Sequence, residues 1–323
     1  MSKHSVGIDL GGTNIVAVVA DEDRNVLARK KIKTPATPTV PETAREMYEA
    51  ATAALQKAES AWDDVANVGV AVPSSVDPET GFVLHAPNLG WKNEDARSVF
   101  QEIFHHDVFL GNDVNCGLLG EFHCGAAKGT RNAIGFFVGT GLGGGVIIDG
   151  RLHRGMRGGA GELGHEIIRH KGRTCGCGNR GCVEAYCSKV AFGKAFDRLI
   201  NKKGRESVLT ELIGTDFSRI KSKYLVQAWD QGDKVTRKVL KKGFRMLGLA
   251  TANLMAILAP ECVVYGGGVI EAMGEELMPY VREGLRSHLF ALHPKDVDLR
   301  LSTLGDDAVP LGAVVLAQMA GKV

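Results

Sequence analysis

The sequence predicts an α/β protein whose fold is internally duplicated. Two observations carry this prediction. A strand, a glycine-rich turn and a second strand occur near residues 6–20 and again near 133–149, and elsewhere apolar strand patterns alternate with helical ones. With 323 residues, 44% of them hydrophobic, the chain can bury a sizeable core, and its length suggests about two domains.

The composition narrows the possible partners. Lys and Arg total 39 against 37 Asp and Glu, without a long block of like charge, so no nucleic-acid ligand is expected. No signal-peptide core follows the N-terminus, and no run approaches the roughly 20 apolar residues of a membrane span. We expect a cytoplasmic protein that has no membrane partner.

The N-terminal elements follow from their periodicity. Strands are predicted at 6–9 and 15–20, with a third apolar stretch at 26–32. A helix is expected over 41–61, after a proline-rich connector, and a buried strand over 67–72. The order indicates a meander that opens on a glycine turn and continues as an α/β domain.

The middle of the chain places an acid at a junction. A short strand at 108–110 ends at Gly111-Asn112-Asp113, and a helix is predicted over 114–124. Strands at 133–138 and 146–149 then flank the second glycine turn. Asp113 therefore lies where α/β proteins commonly keep their sites.

The last third is predicted to be mainly helical. The clearest helix covers 233–258, before a strand at 262–265 and a third glycine cluster. A helix at 269–289, a strand at 297–301 and a terminal helix at 309–319 follow. We expect the terminal helix to pack back on the first domain.

The glycine turns predict phosphate binding, because amides in such turns approach a phosphate closely and a threonine adds a hydroxyl donor. The turn residues are Gly11, Gly12, Thr13, Gly139, Thr140 and Gly141. A plain hairpin turn is the alternative. Asp9, beside the first turn, is a carboxylate suited to Mg²⁺, often through water. Together these features favour a nucleoside triphosphate as the ligand.

A dinucleotide-binding oxidoreductase is a rival interpretation. Gly139, Gly141 and Gly144 match Gly-x-Gly-x-x-Gly, and Glu162 lies near the offset of a ribose-binding acid. That motif requires a helix directly after the glycines, whereas a strand pattern follows here. No Walker sequence occurs, so any phosphate cradle is of another type.

Three thiols and three glycines occupy residues 175–182. Cys175, Cys177 and Cys182 have a spacing that lets the chain wrap one ion, and zinc is the metal that such a thiol cluster favours. Buried cysteines without a metal are the alternative. His165 is the first candidate for a fourth ligand, with His170 and Cys187 as further candidates. Four protein ligands would make the zinc structural.

The sequence leaves two possible roles for each of several polar residues. Asp113 is either a catalytic group or the N-cap of the following helix. Glu162 and Glu184, on either side of the cysteine cluster, are either sugar-hydroxyl acceptors or solvated surface acids. Asn88 is a turn residue or another hydroxyl partner.

Taken together, these motifs resemble the ROK family of bacterial sugar kinases and repressors, over nearly the whole chain. Asp9-Leu10-Gly11-Gly12-Thr13 resembles the family's first phosphate motif, and the run 139–145 its second. The run 112–116 is similar to the catalytic segment, 161–165 to the sugar and metal segment, and 175–184 to the zinc motif. Gly266-Gly267-Gly268 resembles the adenosine region.

The resemblance implies an actin-like ATPase fold, related to ribonuclease H, with two α/β domains and a cleft between them. The smaller domain would comprise 1–113 and about 306–323, and the larger one 114–305 with the zinc loop. It also implies closure of the domains around the substrates and assembly into homodimers or homotetramers.

The resemblance also implies an activity, that of an ATP-dependent hexose kinase in which Asp113 is the base. The cofactors would be ATP with Mg²⁺ and a structural Zn²⁺. Residues matching the sugar-holding positions are Asn88, Asn112, Asp113, Glu162, His165 and Glu184, and the matching His is also a zinc ligand. Repressors of the family carry a DNA-binding domain ahead of the first phosphate motif, and only eight residues precede Asp9, so a kinase is expected.

Glucose is the expected sugar, and its 6-hydroxyl the acceptor. Kinases for N-acetylglucosamine, N-acetylmannosamine, mannose, allose and fructose share most of these positions, and polyphosphate replaces ATP in some relatives. A non-catalytic sugar-sensing regulator is the alternative of a different class. Ser74-Ser75 stands where relatives commonly carry Pro-Gly, which leaves the loop conformation there open.

Overall fold

The computed structural model describes residues 3–36, 39–86, 88–289 and 297–323, and these form two compact units. The first unit comprises residues 1–131, 145–161 and 303–323, and the second 132–144 and 162–302.

Thirteen strands and nine α-helices are found in the described ranges. The strands are β1 His4–Leu10, β2 Asn14–Ala20, β3 Val26–Lys33, β4 Val65–Val72, β5 Ser75–Val76, β6 Phe82–Ala86, β7 Trp91–Asp95, β8 Val108–Asn112, β9 Ala133–Val138, β10 Leu142–Ile148, β11 Arg151–Leu152, β12 Cys262–Gly266 and β13 Asp298–Leu301. The helices are α1 Val40–Lys57, α2 Ala96–Phe104, α3 Asp113–Cys124, α4 Lys189–Leu199, α5 Val208–Ile213, α6 Ser222–Asp230, α7 Lys234–Leu258, α8 Ile270–Arg286 and α9 Ala308–Gln318.

The first unit is built on a five-stranded sheet in the order β3-β2-β1-β4-β8. The first three strands are antiparallel, and β4 and β8 run parallel to β1. The predicted meander and the strand after α1 are therefore confirmed. Because β1, β4 and β8 are parallel, their carboxyl ends lie at one edge of this sheet.

The terminal helix α9 packs on β1, β4 and α3 within the first unit, as the sequence predicted. Almost all of its side chains are buried. Gly69 of β4 makes the close approach possible, since a Cβ there would overlap the carbonyl oxygen of Ala313. The predicted domain boundary after Asp113 differs from the division after Arg131, because α3 packs on α9.

Helix α1 begins with a capping box. The Glu42 amide donates to the Thr39 hydroxyl at 3.4 Å, and the Thr39 amide donates to the Glu42 carboxylate at 2.9 Å. The helix ends at Lys57, earlier than the predicted 61, and a short 3₁₀ turn follows at Trp62–Asp64. A small antiparallel sheet, β5-β6-β7, and helix α2 complete this region and were not predicted.

The second unit repeats part of this pattern. Strand β12 lies between β9 and β13 and is parallel to both, as β4 lies between β1 and β8. The long helices α7 and α8 pack against each other, and α4 packs on α7. The parallel order of three strands agrees with the predicted duplication. In the described part of the chain, no helix has the length and apolarity that crossing a bilayer requires.

Candidate functional site

The first unit brings two carboxylates to one edge of its sheet. Asp9 pairs with Ala71 near the end of β1, and Val72 pairs with Asn112 at the end of β8. Asp113 follows as the first residue of α3. The carboxyl ends of parallel strands are the usual place for ligand-binding side chains in α/β folds.

Asn112, rather than Asp113, caps helix α3. The Asn112 side-chain oxygen accepts a hydrogen bond from the Asn115 amide at 3.0 Å, so the N-cap interpretation of Asp113 is wrong. Asp113 Oδ1 instead accepts from the Val114 amide at 2.9 Å and from Asn112 Nδ2 at 3.0 Å. Its position in the first turn lets the helix dipole stabilise the carboxylate. Asp113 is held in one orientation by its own helix end.

The loop with Ser74-Ser75 supports this helix end. The Ser74 carbonyl accepts from Asn112 Nδ2 at 3.3 Å, and the buried Ser74 hydroxyl donates to the His85 carbonyl at 2.7 Å. The Ser74 hydroxyl thus attaches the loop to β6. The Ser74 carbonyl helps to position the Asn112 side chain.

Asp9 has an altered acidity. Burial, together with the charges of Asp113 and Asp306, raises the pKa of the Asp9 carboxyl from 3.8 to about 7, although Lys31 acts in the opposite direction. Lys31 Nζ lies 3.5 Å from Asp306 Oδ2. Sequence reasoning missed Lys31 and Asp306. The pair Asp306-Asp307, directly before a helix expected to return to the first domain, was the signal that could have found the acid.

The first glycine turn is a tight hairpin with amides available for a ligand. The Gly11 amide donates to the Asn14 carbonyl at 3.0 Å, and Thr34 fastens the turn by donating its hydroxyl to the Gly11 carbonyl at 2.6 Å. Among the residues that the structure describes, the amides of Gly12 and Thr13 meet no acceptor. Such unpartnered turn amides can bind phosphate oxygens.

Asn88 lies beside this turn. A Cβ on Gly12 would come 3.5 Å from the Asn88 Cβ, and Asn88 is exposed. The structure therefore brings together three predicted features of the first unit, namely the turn, the acids at the sheet edge and Asn88.

The second glycine turn is oriented by helix α4. The carbonyls of Gly139 and Thr140 accept from the Lys189 and Val190 amides at 3.0 and 3.2 Å. No acceptor for the Thr140 and Gly141 amides occurs in the described ranges.

The glycines after this turn belong to a strand. The run 142–148 is strand β10, and within it Gly144 packs so closely against Leu163 that a side chain would not fit. The predicted strand start at 146 was thus too late. A strand instead of a helix after the turn also makes the dinucleotide-binding alternative wrong.

The third glycine cluster follows β12 and precedes α8. Gly267 has a φ of +83°, which favours glycine, and the Gly268 carbonyl accepts from the Ser222 hydroxyl. Lys189 Nζ lies 3.6 Å from the position of a Cβ on Gly268. Burial lowers the pKa of the Lys189 ammonium, whereas the Glu271 charge raises it. Sequence reasoning missed this lysine, because its contact with residue 268 is long-range.

Four side chains of the second unit form a compact cluster, the metal group, whose chemistry suits a metal ion. The ligand atoms of His165, Cys175, Cys177 and Cys182 all lie within 4.8 Å of one another. Cys175 Sγ is 3.7 Å from His165 Nδ1, and Cys177 Sγ is 3.7 Å from Cys182 Sγ. A tetrahedral zinc with Zn–S bonds of about 2.3 Å has ligand–ligand edges of about 3.8 Å. The group fits zinc, with His165 as the fourth member.

The thiols differ in acidity. Burial raises the pKa of the Cys175 thiol to about 12, and the Asn179 amide lowers the pKa of the Cys177 thiol. Zinc binds thiolates, so a bound ion would supply the charge that stabilises a buried Cys175 thiolate.

Glu184 connects this group to the second glycine turn. Its Oε1 accepts from the Cys175 thiol at 3.3 Å, and its Oε2 accepts from the Leu142 amide at 2.9 Å. A metal-bound thiolate has no proton to donate, so Oε1 would then be open to another donor. Glu162 is exposed, and its carbonyl accepts from the His165 amide at 3.0 Å. Glu184 thus contacts one member of the metal group through its side chain, and Glu162 contacts another through its backbone.

Comparison with known proteins finds relatives that match nearly the whole chain. The chain is 32% identical to the glucokinase of Streptomyces coelicolor over 97% of both chains. It is 31% identical to the xylose repressor of Caldicellulosiruptor bescii, over 96% of this chain and 77% of the repressor.

Among solved structures, the ROK family glucokinase of Streptomyces griseus, in complex with glucose and AMPPNP, is 32% identical. The TM-score is 0.81, and the likeness covers 98% of this chain and 99% of that one. The chain thus has the two-domain actin-like ATPase fold that the motifs implied. The ROK family model matches residues 5–320, and with it these relatives show that the chain belongs to the ROK family.

Proposed function

We propose that this protein is an ATP-dependent hexose kinase that phosphorylates the 6-hydroxyl of glucose. The observation that carries the proposal is the placement of Asp113, which is held at the N-terminus of α3 beside Asp9 and Asn112. A carboxylate fixed in this way can both orient a hydroxyl and accept its proton. The relative from Streptomyces coelicolor, a glucokinase, supports the choice of glucose.

In this proposal Asp113 accepts the proton of the sugar 6-hydroxyl while that oxygen attacks the γ-phosphate of ATP in line. The bond between the sugar 6-oxygen and the γ-phosphorus forms as the bond between the γ-phosphorus and the β–γ bridging oxygen breaks, and ADP leaves. Phosphoryl transfer has a loose transition state in most analyses, so orientation of the hydroxyl matters as much as basicity. The hydrogen bond from Asn112 Nδ2 to Asp113 Oδ1 holds the carboxylate that would orient this hydroxyl.

The phosphate groups would be held by amides and by cations. The unpartnered amides at Gly12, Thr13, Thr140 and Gly141 are the donors, and Mg²⁺ near Asp9 would neutralise the charge on the transferring group. Gly266, Gly267 and Gly268 would border the adenosine. Lys189, beside Gly268, is a further cation for the phosphates.

Sugar hydroxyls would be recognised by a set of polar side chains, and zinc would order part of that set. The set is Asn88, Asn112, Glu162, His165 and Glu184. Because His165 and Cys175 also belong to the metal group, and Cys175 contacts Glu184, zinc would shape the sugar-binding residues without contacting phosphate.

The test is an ADP-release assay with a panel of hexoses and N-acetylhexosamines, and with ATP and polyphosphate as alternative donors. We expect ATP and glucose to give the largest kcat/KM. In Asp113→Asn we expect a rate loss of about 10² to 10⁴ with zinc content and folding retained. Asp63→Asn, which removes an exposed acid of the same unit, serves as the control. Near-normal turnover in Asp113→Asn would refute the assignment.

A second candidate is a sugar-responsive regulator, which the similarity to the xylose repressor favours. The same assay decides between the two. A regulator would bind sugar, seen by calorimetry, and would release no ADP in response to any sugar of the panel.

A further inference from the structure

A cavity of about 350 Å³ lies at the surface of the second unit, beside the metal-binding loop. One wall is the loop 173–176, and the opposite wall is helix α4 from Val190 to Arg198. The volume falls within the range of about 300–1,000 Å³ that is typical of small-ligand pockets. The cavity shares Cys175 and Glu184 with the groups described above, but the proposed function assigns no role to its basic residues Arg173, Lys194 and Arg198.

The charges around the cavity are predominantly positive. Lys194 and Arg198 are spaced by four residues, so they project from the same face of α4, and Arg173 extends from the loop. Arg169 and Lys242 lie near enough to Arg173 for their charges to act on one another.

Arg173 is held in position before any ligand arrives. Its Nη1 donates to the Ala185 carbonyl at 3.2 Å, and its guanidinium carbon lies 4.8 Å from the centre of the Tyr186 ring. The side chain is half-buried. A guanidinium fixed in this way loses little conformational entropy when it binds an anion.

The positive charges are not neutralised by protein acids. In the described part of the chain, Arg173, Lys194 and Arg198 form no ion pair. Burial lowers the pKa of the Lys242 ammonium, and the nearby charges of Arg173, Arg169 and Arg198 lower it further. Cations that repel one another around a cavity favour an anionic ligand.

The one carboxylate that lines the cavity is already engaged. Glu184 accepts hydrogen bonds from the Leu142 amide and the Cys175 thiol, as described above. These hydrogen bonds leave its charge in place, but Glu184 forms no ion pair with Arg173 in the described part of the chain, and the cavity lining carries three cationic side chains against this one carboxylate.

We propose that this cavity binds a small anion with two or more linked phosphoryl groups, at a site separate from the glycine turns. Arginine pairs with phosphate oxygens in a bidentate manner, and a chain of phosphoryl groups can meet several cations at once. The cavity volume fits a small molecule, whereas a nucleic acid would need an extended basic surface.

The test is calorimetric titration of the zinc-loaded full chain with pyrophosphate, tripolyphosphate and inorganic phosphate, in the presence of saturating AMPPNP. We expect saturable binding of tripolyphosphate that is tighter than that of inorganic phosphate and weakens with added salt. The double variant Lys194→Ala/Arg198→Ala should weaken it by about tenfold or more. Lys203→Ala/Arg205→Ala removes the same charge from exposed positions outside the cavity lining and should leave it unchanged.

Three outcomes would overturn the proposal. Binding of tripolyphosphate that disappears when AMPPNP is present would place it at the nucleotide site. Equal weakening in both double variants would show a general charge effect. Binding of a 20-base-pair DNA duplex without binding of tripolyphosphate would show a surface for nucleic acid instead. None of these depends on whether the protein proves to be a hexose kinase, because ADP release is not measured.

Discussion

Replacing Asp9 by asparagine should stabilise the metal-free protein at alkaline pH while removing its activity. The Asp9 carboxyl has a pKa of about 7 instead of 3.8, chiefly because it is buried and next to Asp113 and Asp306. Between these two pH values the folded state keeps a proton that the unfolded state has lost. The free energy of unfolding therefore falls as the pH rises from about 4 to about 7, and the full destabilisation by the Asp9 charge is present above about pH 7.

The magnitude follows from the shift. The difference between 3.8 and about 7 is about 3 pH units, which at 1.36 kcal/mol per unit sets an upper limit of about 4 kcal/mol. Asparagine has nearly the same shape and no charge. The advantage of Asp9→Asn over the wild type should grow by up to about 3 kcal/mol between about pH 5 and about pH 8.

The assay is urea unfolding followed by circular dichroism, in EDTA, at these two pH values. Asp63→Asn, at an exposed position, should show no such difference. A gain for Asp9→Asn that is absent at about pH 8, or equal at both pH values, would refute the reasoning. If the proposed function holds, the stabilised variant should have no kinase activity, because it lacks the carboxylate that we propose to hold Mg²⁺.

Three further predictions concern the zinc group and the scaffold. Cys177→Ser should lower zinc, measured by elemental analysis, from one ion per chain to none and weaken sugar binding; an unchanged zinc content would contradict the ligand set. Gly69→Ala should destabilise the first unit by more than about 3 kcal/mol in urea unfolding, since the methyl group would overlap the Ala313 carbonyl, and a loss below about 1 kcal/mol would contradict the close packing. Thr39→Ala should cost about 1 kcal/mol in the same measurement by removing the capping box, whereas Thr210→Ala, in an exposed part of a helix, should cost less.

The elements with strong periodicity could be predicted from the sequence. The strands β1, β2, β9 and β12 and the helix α7 agree with their predicted ranges to within a few residues. The small sheet β5-β6-β7 could not be predicted, because its strands are only two to five residues long and β7 is polar after Trp91. In β7 only Trp91 is buried, and the next two residues are exposed.

The candidate site was predictable where its residues are adjacent in sequence. The metal group shows this, since three of its members lie within eight residues and His165 was the first choice for the fourth. The effect of the Asp306 charge on the Asp9 pKa, and the proximity of Lys189 to Gly268, depend on tertiary contacts between segments that are distant in sequence. Residue spacing does not reveal such contacts. The start of β10 was predicted too late, because glycines that close packing requires in a strand cannot be told from turn glycines by sequence.

Oligomeric state stays a prediction from the family resemblance, and light scattering on the purified chain would test the expected homodimer or homotetramer.

The proposed role of Asp113 is to support transfer of the γ-phosphoryl group of ATP to the 6-hydroxyl of glucose. It is tested most directly in a single turnover with excess zinc-loaded enzyme and ATP labelled at the γ-phosphate. The wild type should convert the label to glucose 6-phosphate in equal amount to ADP, and Asp113→Asn should form it about 10² to 10⁴ times more slowly. Label that stays in ATP in the wild type, or passes to water at the same rate with and without glucose, would contradict the account.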